Sequence, residues 1–252
     1  MNFAKSSPYF VVISSLTMFA LTGCQPKTDA SKNADTADIP LIQAKVVAVK
    51  IPKQKVCLED GCTHYDLQTV ETNQQWIDDY FLNRMKKAEP TAFANLKEQP
   101  VKIPADQPSL SESSSYVRFV GQNYNLATFA MQTYSYSAGA AHGMSHQEFV
   151  NFDLSNKKHI TISELVKPNI NDKLRDELYA ANQTWLEQHD IKKAQLQLSD
   201  NYYYGAHGIV FVYPLYELAS YAEGMSELTL PYYAAKQFIK AEYLPSLPKE
   251  PN

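Results

Sequence analysis

Hydrophobic and polar positions along the chain fall into two rhythms. Ile42 to Ile51 is apolar and β-branched with lysines interspersed, which predicts a strand, and Thr63 to Val70 predicts a second. Thr72 to Ala88 switches to helical spacing: Ile77, Tyr80, Phe81 and Ala88 fall near one face, Thr72 and Gln75 are spaced as a capping box, and Glu89-Pro90 stops the run. Thr91 to Leu110 carries Pro100, Pro104 and Pro108 and reads as a connection. Two aromatic-rich runs, Ser114 to Gly121 and Tyr124 to Ser137, predict strands joined at Gln122-Asn123. A small-residue turn, Ala138 to Gly143, leads into a strand from Met144 to Leu154, and His159 to Val166 reads as a short strand and turn. Asn169 to His189 is the clearest helix, with Ile170, Leu174, Leu178, Ala181 and Trp185 spaced by four, four, three and four. Gln195 to Ser199 and Gly208 to Tyr213 read as a strand pair around a Tyr202-Tyr203-Tyr204 loop. Glu227 to Leu230 is a last strand, and Pro231 opens a short helix through Ile239.

Strands and helices mix without strict βα alternation. The expected fold class is therefore α+β: a largely antiparallel sheet with helices packed on one face, in two small lobes. The expected boundaries are an N-terminal α+β lobe over 41–110, a C-terminal domain over 111–240 and a disordered tail over 241–252.

The N-terminus follows neither rhythm. Lys5 precedes an uncharged run from Ser6 to Gly23, whose apolar part, Tyr9 to Leu21, has the length of a signal-peptide core. Leu21-Thr22-Gly23-Cys24 resembles the lipobox of bacterial lipoproteins. It implies cleavage before Cys24, diacylglyceryl transfer to its thiol and acylation of its amine, giving a multi-chain anchor. Residues 1–23 are thus expected to be a signal peptide and 24–40 a flexible polar tether. Gln25 follows the cysteine where aspartate would signal inner-membrane retention, so the expected location is the outer membrane, facing the periplasm.

Outside the cytoplasm an even cysteine pair reads as a disulfide, and Asp60-Gly61 between Cys57 and Cys62 is a turn signal that folds the two together. A metal site on Cys57, Cys62 and His64 is the rival, but it has no second cysteine pair to complete a zinc shell.

Composition narrows the function classes. The 252 residues are 44% hydrophobic and 20% charged, a globular balance. The formal charge is −4, and losing Lys5 with the leader leaves 22 basic against 27 acidic residues, or −5. That excludes the basic footprint of a nucleic-acid binder. No cofactor motif is present.

Tyr134-Ser135-Tyr136-Ser137-Ala138-Gly139-Ala140-Ala141-His142-Gly143, the run Phe149 to Leu154, Ile160 to Leu165, and above all Gly208 to Gly224 (GIVFVYPLYELASYAEG) resemble the RsiV-like ectodomain family in order and spacing. The resemblance spans about Val46 to Ile239. Members of that family are modules of unknown function found in a lysozyme-binding anti-sigma factor, in peptidoglycan deacetylases and in bacterial lipoproteins. The resemblance implies an extracytoplasmic binding module and transfers no catalytic residue.

Candidate chemistry is sparse. His142 and His146 are four apart, but Gly139 and Gly143 argue against a helix, and on a strand that spacing spans about 13 Å, too far for one metal ion. His142 either closes its glycine turn by hydrogen bonding or contacts a ligand. A Ser137-His142-Asp153 triad has no geometric support in sequence. Tyr202, Tyr203 and Tyr204, beside His207, supply either recognition surface or sheet packing. For Tyr213, Tyr216 and Tyr221, and for Trp76 and Trp185, core packing is expected. The speculative ligand-contacting set is Ser137, Gly139, His142, His146, Tyr202, Tyr203, Tyr204 and His207, with no metal, cofactor or catalytic residue. The expected function is a lipid-anchored, non-catalytic envelope module for a lysozyme-like protein or peptidoglycan. The alternatives are a cell-wall-directed hydrolase or deacetylase-like enzyme, and a structural component of an envelope complex.

Overall fold

The aromatic-rich run Leu126–Tyr136 (β5) and Met144–Asp153 (β6) form a long antiparallel hairpin at the centre of the fold. Ala127, Phe129 and Met131 from β5 and Val150 and Phe152 from β6 enter one core. Against them lies helix α1, Gln75–Ala88, whose buried residues Ile77, Phe81 and Met85 recur every four positions. Phe152 is the hub of this core, meeting Trp76, Tyr80, Phe81 and Phe129 at ring separations of 5.1 to 5.8 Å, all edge-on.

The computed structural model describes residues 39–104 and 107–245. The expected signal peptide, Cys24 and the tether as far as residue 38 lie outside the described residues, as do 246–252. Seven strands form the first sheet, in the order β1 (Ala44–Ala48), β3 (Gly61–Thr72), β4 (Leu110–Asn123), β5, β6, β7 (Lys158–His159), with β2 (Lys55–Leu58) paired to β3. Its pairings are antiparallel except β3 with β4, which run parallel because the proline-rich segment and a short helix, α2 (Pro90–Phe93), carry the chain back across the sheet. The expected boundary at 110 thus falls at the first residue of β4, inside one sheet. Cys57 and Cys62 face each other in the β2–β3 hairpin and are joined as a disulfide, above a small core of Val56, Tyr65, Leu67 and Ala92.

A second, three-stranded sheet orders β10 (Ser226–Pro231), β9 (Gly208–Tyr213) and β8 (Tyr202–Tyr204). It buries Tyr202, Ile209, Phe211, Leu228 and Leu230 against α3 (Ile162–Leu165), α4 (Asn171–Ala181), α5 (Gln183–Gln188) and α6 (Tyr232–Phe238). Among the described residues no helix is long and apolar enough to cross a membrane.

Several expectations need correction. The helix expected over Asn169–His189 breaks at Asn182, whose amide is drawn to the edge of β10: Nδ2 donates to the Thr229 carbonyl at 3.0 Å and Oδ1 accepts from the Thr229 N–H at 3.0 Å. Gln195–Ser199 is not a strand; β9 pairs instead with Tyr202–Tyr204, which was expected to be a loop. Of the short strand and turn expected over His159–Val166, the strand is β7, which ends at His159, and the turn is the helix α3, opened by a capping box between Thr161 and Glu164. The β4–β5 turn sits two residues later, on Tyr124 and Asn125, with Tyr124 at φ 54°. The capping box of Thr72 with Gln75 does not form; Asp78 accepts from the Thr72 N–H (2.9 Å) and hydroxyl (2.6 Å) instead. The start of the tail expected to be disordered over 241–252 is ordered: Ala241–Tyr243 make a 3-10 turn, and Tyr243 is buried because its ring completes the second core.

Candidate functional site

The β5–β6 connection is built from small residues so that it can turn tightly. Gly139 takes φ 81°, the Ala140 N–H donates to the Ser137 carbonyl at 2.9 Å, and Ser111 Oγ accepts from the Ala138 N–H at 3.0 Å. Gly143 is buried under the Tyr134 ring, where a Cβ would collide with that ring. This places Ser137, Gly139 and His142 on an exposed tip.

The tip meets a loop from the second sheet. The His142 ring packs on Tyr221 at 4.6 Å, tilted by 33°, and Tyr221 on Tyr216 at 5.5 Å, tilted by 30°. Both His142 Nδ1 (3.0 Å) and the Tyr221 hydroxyl (3.2 Å) donate to the Gly143 carbonyl, so one acceptor ties the two chain segments together. Tyr216 is 57% exposed and Tyr221 37%, and with the exposed His142 they make one aromatic surface, beside the Tyr134 ring that covers Gly143. Core packing was expected for Tyr216 and Tyr221 and holds only for Tyr213, whose side chain is fully buried with its hydroxyl donating to the Gln197 carbonyl at 2.8 Å. The reason is backbone geometry: β9 ends at Tyr213, and Tyr216, at φ 69°, turns the chain outward.

The loop carrying Tyr221 has its own fastening. Ser220 and Glu223 form a capping box around the 3-10 turn Tyr221–Glu223. The other Glu223 oxygen meets His189 Nε2 at 2.7 Å, and the His189 ring stacks on Trp185 at 3.9 Å. The His189 and Ser220 contacts hold the Glu223 carboxyl down to about 2, while Glu223 and the Trp185 carbonyl raise His189 above its ordinary value.

The remaining expected site residues are dispersed. His146, opposite Thr133 in β5, lines a groove of about 520 Å³ beside the end of α1, with Arg84, Lys87, Met131 and Glu148. There Arg84 donates both terminal nitrogens to Glu148, at 2.8 and 2.6 Å, and the carboxylate raises the guanidinium pKa. Tyr202 faces the core, its hydroxyl donating to the Ile160 carbonyl at 2.8 Å, and the Tyr204 hydroxyl is also enclosed; burial pushes both phenols up. Tyr203 lies on the opposite strand face, stacked on Phe149 at 4.4 Å and donating to Glu227 at 3.1 Å. His207 is exposed at the start of β9, about 20 Å in strand rise from the end that leads to Tyr216. Asp153 lies at the far end of β6 from the His142 turn, about 30 Å along the strand, so the Ser137-His142-Asp153 constellation does not assemble. Among the described residues no three His, Cys, Asp or Glu side chains are grouped to hold a metal ion.

Tyr134, Tyr216, Tyr221, Trp185, His189 and Glu223 are therefore the residues that sequence reasoning missed. The first three lay inside the quoted motifs, where periodicity marks an aromatic residue but not the face it takes. His189 and Glu223 are 34 positions apart and carry no local signal.

Residues 153–233 match the sequence profile of a family described as "Protein of unknown function (DUF3298)". No curated protein matches the chain. Among solved structures, the fold is similar to a DUF3298 family protein from Pseudomonas aeruginosa, with a TM-score of 0.61 and 16% identity over 82% of this chain and 98% of that one. It is also similar to a DUF3298 member from Bacteroides fragilis, with a TM-score of 0.58 and 14% identity over 80% and 94%. Residues 153–233 are thus similar to the DUF3298 profile, and the α+β fold is similar to that of the two crystallised DUF3298 proteins.

Proposed function

We propose that this chain is a lipid-anchored bacterial envelope protein, held at the outer membrane facing the periplasm, and that it works as a non-catalytic binding module for a lysozyme-like protein or peptidoglycan. The observation that carries this reading is the exposed aromatic surface of His142, Tyr216 and Tyr221, built where the β5–β6 turn meets the loop after β9. Rigid rings with polar tips give large contact area at small entropic cost, which suits recognition of either a protein or a glycan. The surface sits on the ends of two sheets, which hold it in place before any partner arrives. The lipobox at Cys24 and the mildly acidic charge support the location and a cationic partner respectively.

The test is calorimetric titration of the chain from Gln25 onward against c-type lysozyme at two salt concentrations, together with co-sedimentation with purified peptidoglycan. Binding to one of them, weakened at least tenfold by Tyr216→Ala with Tyr221→Ala, is the expected result. Absence of binding to both, or binding indifferent to these substitutions, sinks the reading. Mass spectrometry of the membrane fraction tests the anchor: an unacylated Cys24 would refute it.

A further inference from the structure

His189 has two partners, and both are acceptors. Nδ1 lies 2.8 Å from the Trp185 carbonyl oxygen and Nε2 lies 2.7 Å from Glu223 Oε2. A carbonyl accepts only, and an ionised carboxylate accepts only, so both ring nitrogens must carry protons for both bonds to exist. The geometry calls for imidazolium. Neutral imidazole has one N–H and must abandon one of the two partners.

What hangs on that choice is the aromatic surface. Glu223 is the residue that closes the Tyr221–Glu223 turn, through Oε1 to the Ser220 N–H (3.2 Å) and hydroxyl (2.7 Å). Its second oxygen is fastened to the C-terminal end of α5 through His189. Tyr221, inside the turn, packs on His142 and on Tyr216. One proton on His189 therefore links the C-terminal end of α5 to the turn that presents Tyr221.

We propose that His189 and Glu223 form a proton-dependent latch that holds the Tyr216–Tyr221 surface in its binding arrangement and releases it when His189 deprotonates. This inference rests on the binding role assigned above to that surface. Glu223 is the charged group that bears on His189 from the facing turn. On its own helix, Glu187 accepts from Gln183 Nε2 at 2.7 Å instead. His142 is an imidazole in ring contact with Tyr221, so a substitution at His142 serves as the control.

The sign follows from the two shifts. The His189 pKa is raised above 6.5, so its part of the latch is complete below 6.5 and is lost as pH rises through the raised value. Glu223 is lowered from 4.5 to about 2, so its part is complete above 4.5 and is lost only as pH falls towards 2. The latch is whole between 4.5 and 6.5 and opens on the alkaline side.

The test is an NMR pH titration of the chain from Gln25 onward, with no partner present. The expected result is a His189 ring resonance that titrates above 6.5, and Tyr221 ring resonances that shift with the same midpoint. That Tyr221 transition should vanish in both His189→Gln and Glu223→Gln, and persist in His142→Gln. A His189 midpoint at or below 6.5 overturns the proposal, as does a Tyr221 transition that survives His189→Gln. Because no partner is used, failure here leaves the binding reading standing. Failure to bind lysozyme or peptidoglycan, conversely, leaves the latch geometry standing.

Discussion

The side-chain amide of Asn201 takes the place of a neighbouring strand beside Phe149. Its Oδ1 accepts from the Phe149 N–H at 2.8 Å and its Nδ2 donates to the Gln147 carbonyl at 2.7 Å. β7 covers only the last residues of β6, so the outer edge of that strand would otherwise present bare backbone groups. Other side chains continue the seal. Met225 Sδ accepts from the Gln147 N–H at 3.3 Å, the Tyr221 hydroxyl reaches the Gly143 carbonyl, and Asn151 Nδ2 donates to the Tyr202 carbonyl at 2.7 Å. The edge of the first sheet is thus joined to the second by side chains from both, Asn151 from β6 itself and Asn201, Tyr221 and Met225 from the far part of the chain, and the same seam delivers Tyr221 to His142.

Removing the amide should be costly. Asn201→Ala leaves one buried donor and one acceptor unpaired, a loss of about 2 kcal/mol. Asn201→Asp can still accept from Phe149 but, ionised, cannot donate to Gln147. Its deficit should therefore shrink as pH falls and the carboxyl gains a proton. Urea unfolding at pH 7 and pH 4, compared with the parent chain, checks both statements.

Two glycines should respond differently to alanine. At Gly208 the new Cβ would fall on the Leu230 carbonyl of the paired strand, backbone against backbone, so Gly208→Ala should cost at least about 2 kcal/mol. At Gly143 it would meet the ring of Tyr134, a partly exposed side chain that can swing aside. Gly143→Ala should cost less than about 1 kcal/mol in stability yet disturb the aromatic surface and weaken partner binding. Thermal melts beside binding titrations separate the two outcomes.

Phe152→Ala should be the most damaging single truncation in the first core. The ring is fully buried among four aromatic neighbours that cannot all close in on the space, which places the loss at about 3–5 kcal/mol. A midpoint shift in denaturant without a change of slope is the expected signature.

The Arg84–Glu148 pair should contribute modestly despite its bidentate geometry. The two side chains are 35% and 28% exposed, so solvent screening limits the coupling to about 1 kcal/mol. A double-mutant cycle with Arg84→Ala and Glu148→Ala measures it, and the value should fall in high salt.

Much of the secondary structure was legible because it depends on neighbours in sequence. The α1 face, the Ala138–Gly143 turn and the strand runs on either side of it all announce themselves within a dozen residues. Legibility failed where a distant partner outbid the local preference. Asn182 interrupts a good helical stripe to reach Thr229, 47 positions away. Tyr202–Tyr204, followed by Gly205, reads as a turn until β9 pairs with it, and Gln195–Ser199 alternates convincingly but has no strand to join.

The candidate site shows the same division. Sequence alone singled out the His142 turn, since small residues and glycines between two aromatic strands have a local meaning. It could not choose the companion surface. His142 and Tyr221 are 79 positions apart, and His189 and Glu223 are 34 apart. Periodicity tells how often a tyrosine recurs, not whether its ring ends in a core or on a rim, and that is why Tyr213 and Tyr216 differ. What the sequence by itself determined is the α+β class, the main hairpin and the tip that carries His142. What only the tertiary structure decided is which distant loop covers that tip, because backbone groups on the β6 edge and the two faces of the aromatic rings are satisfied only once both sheets are in place.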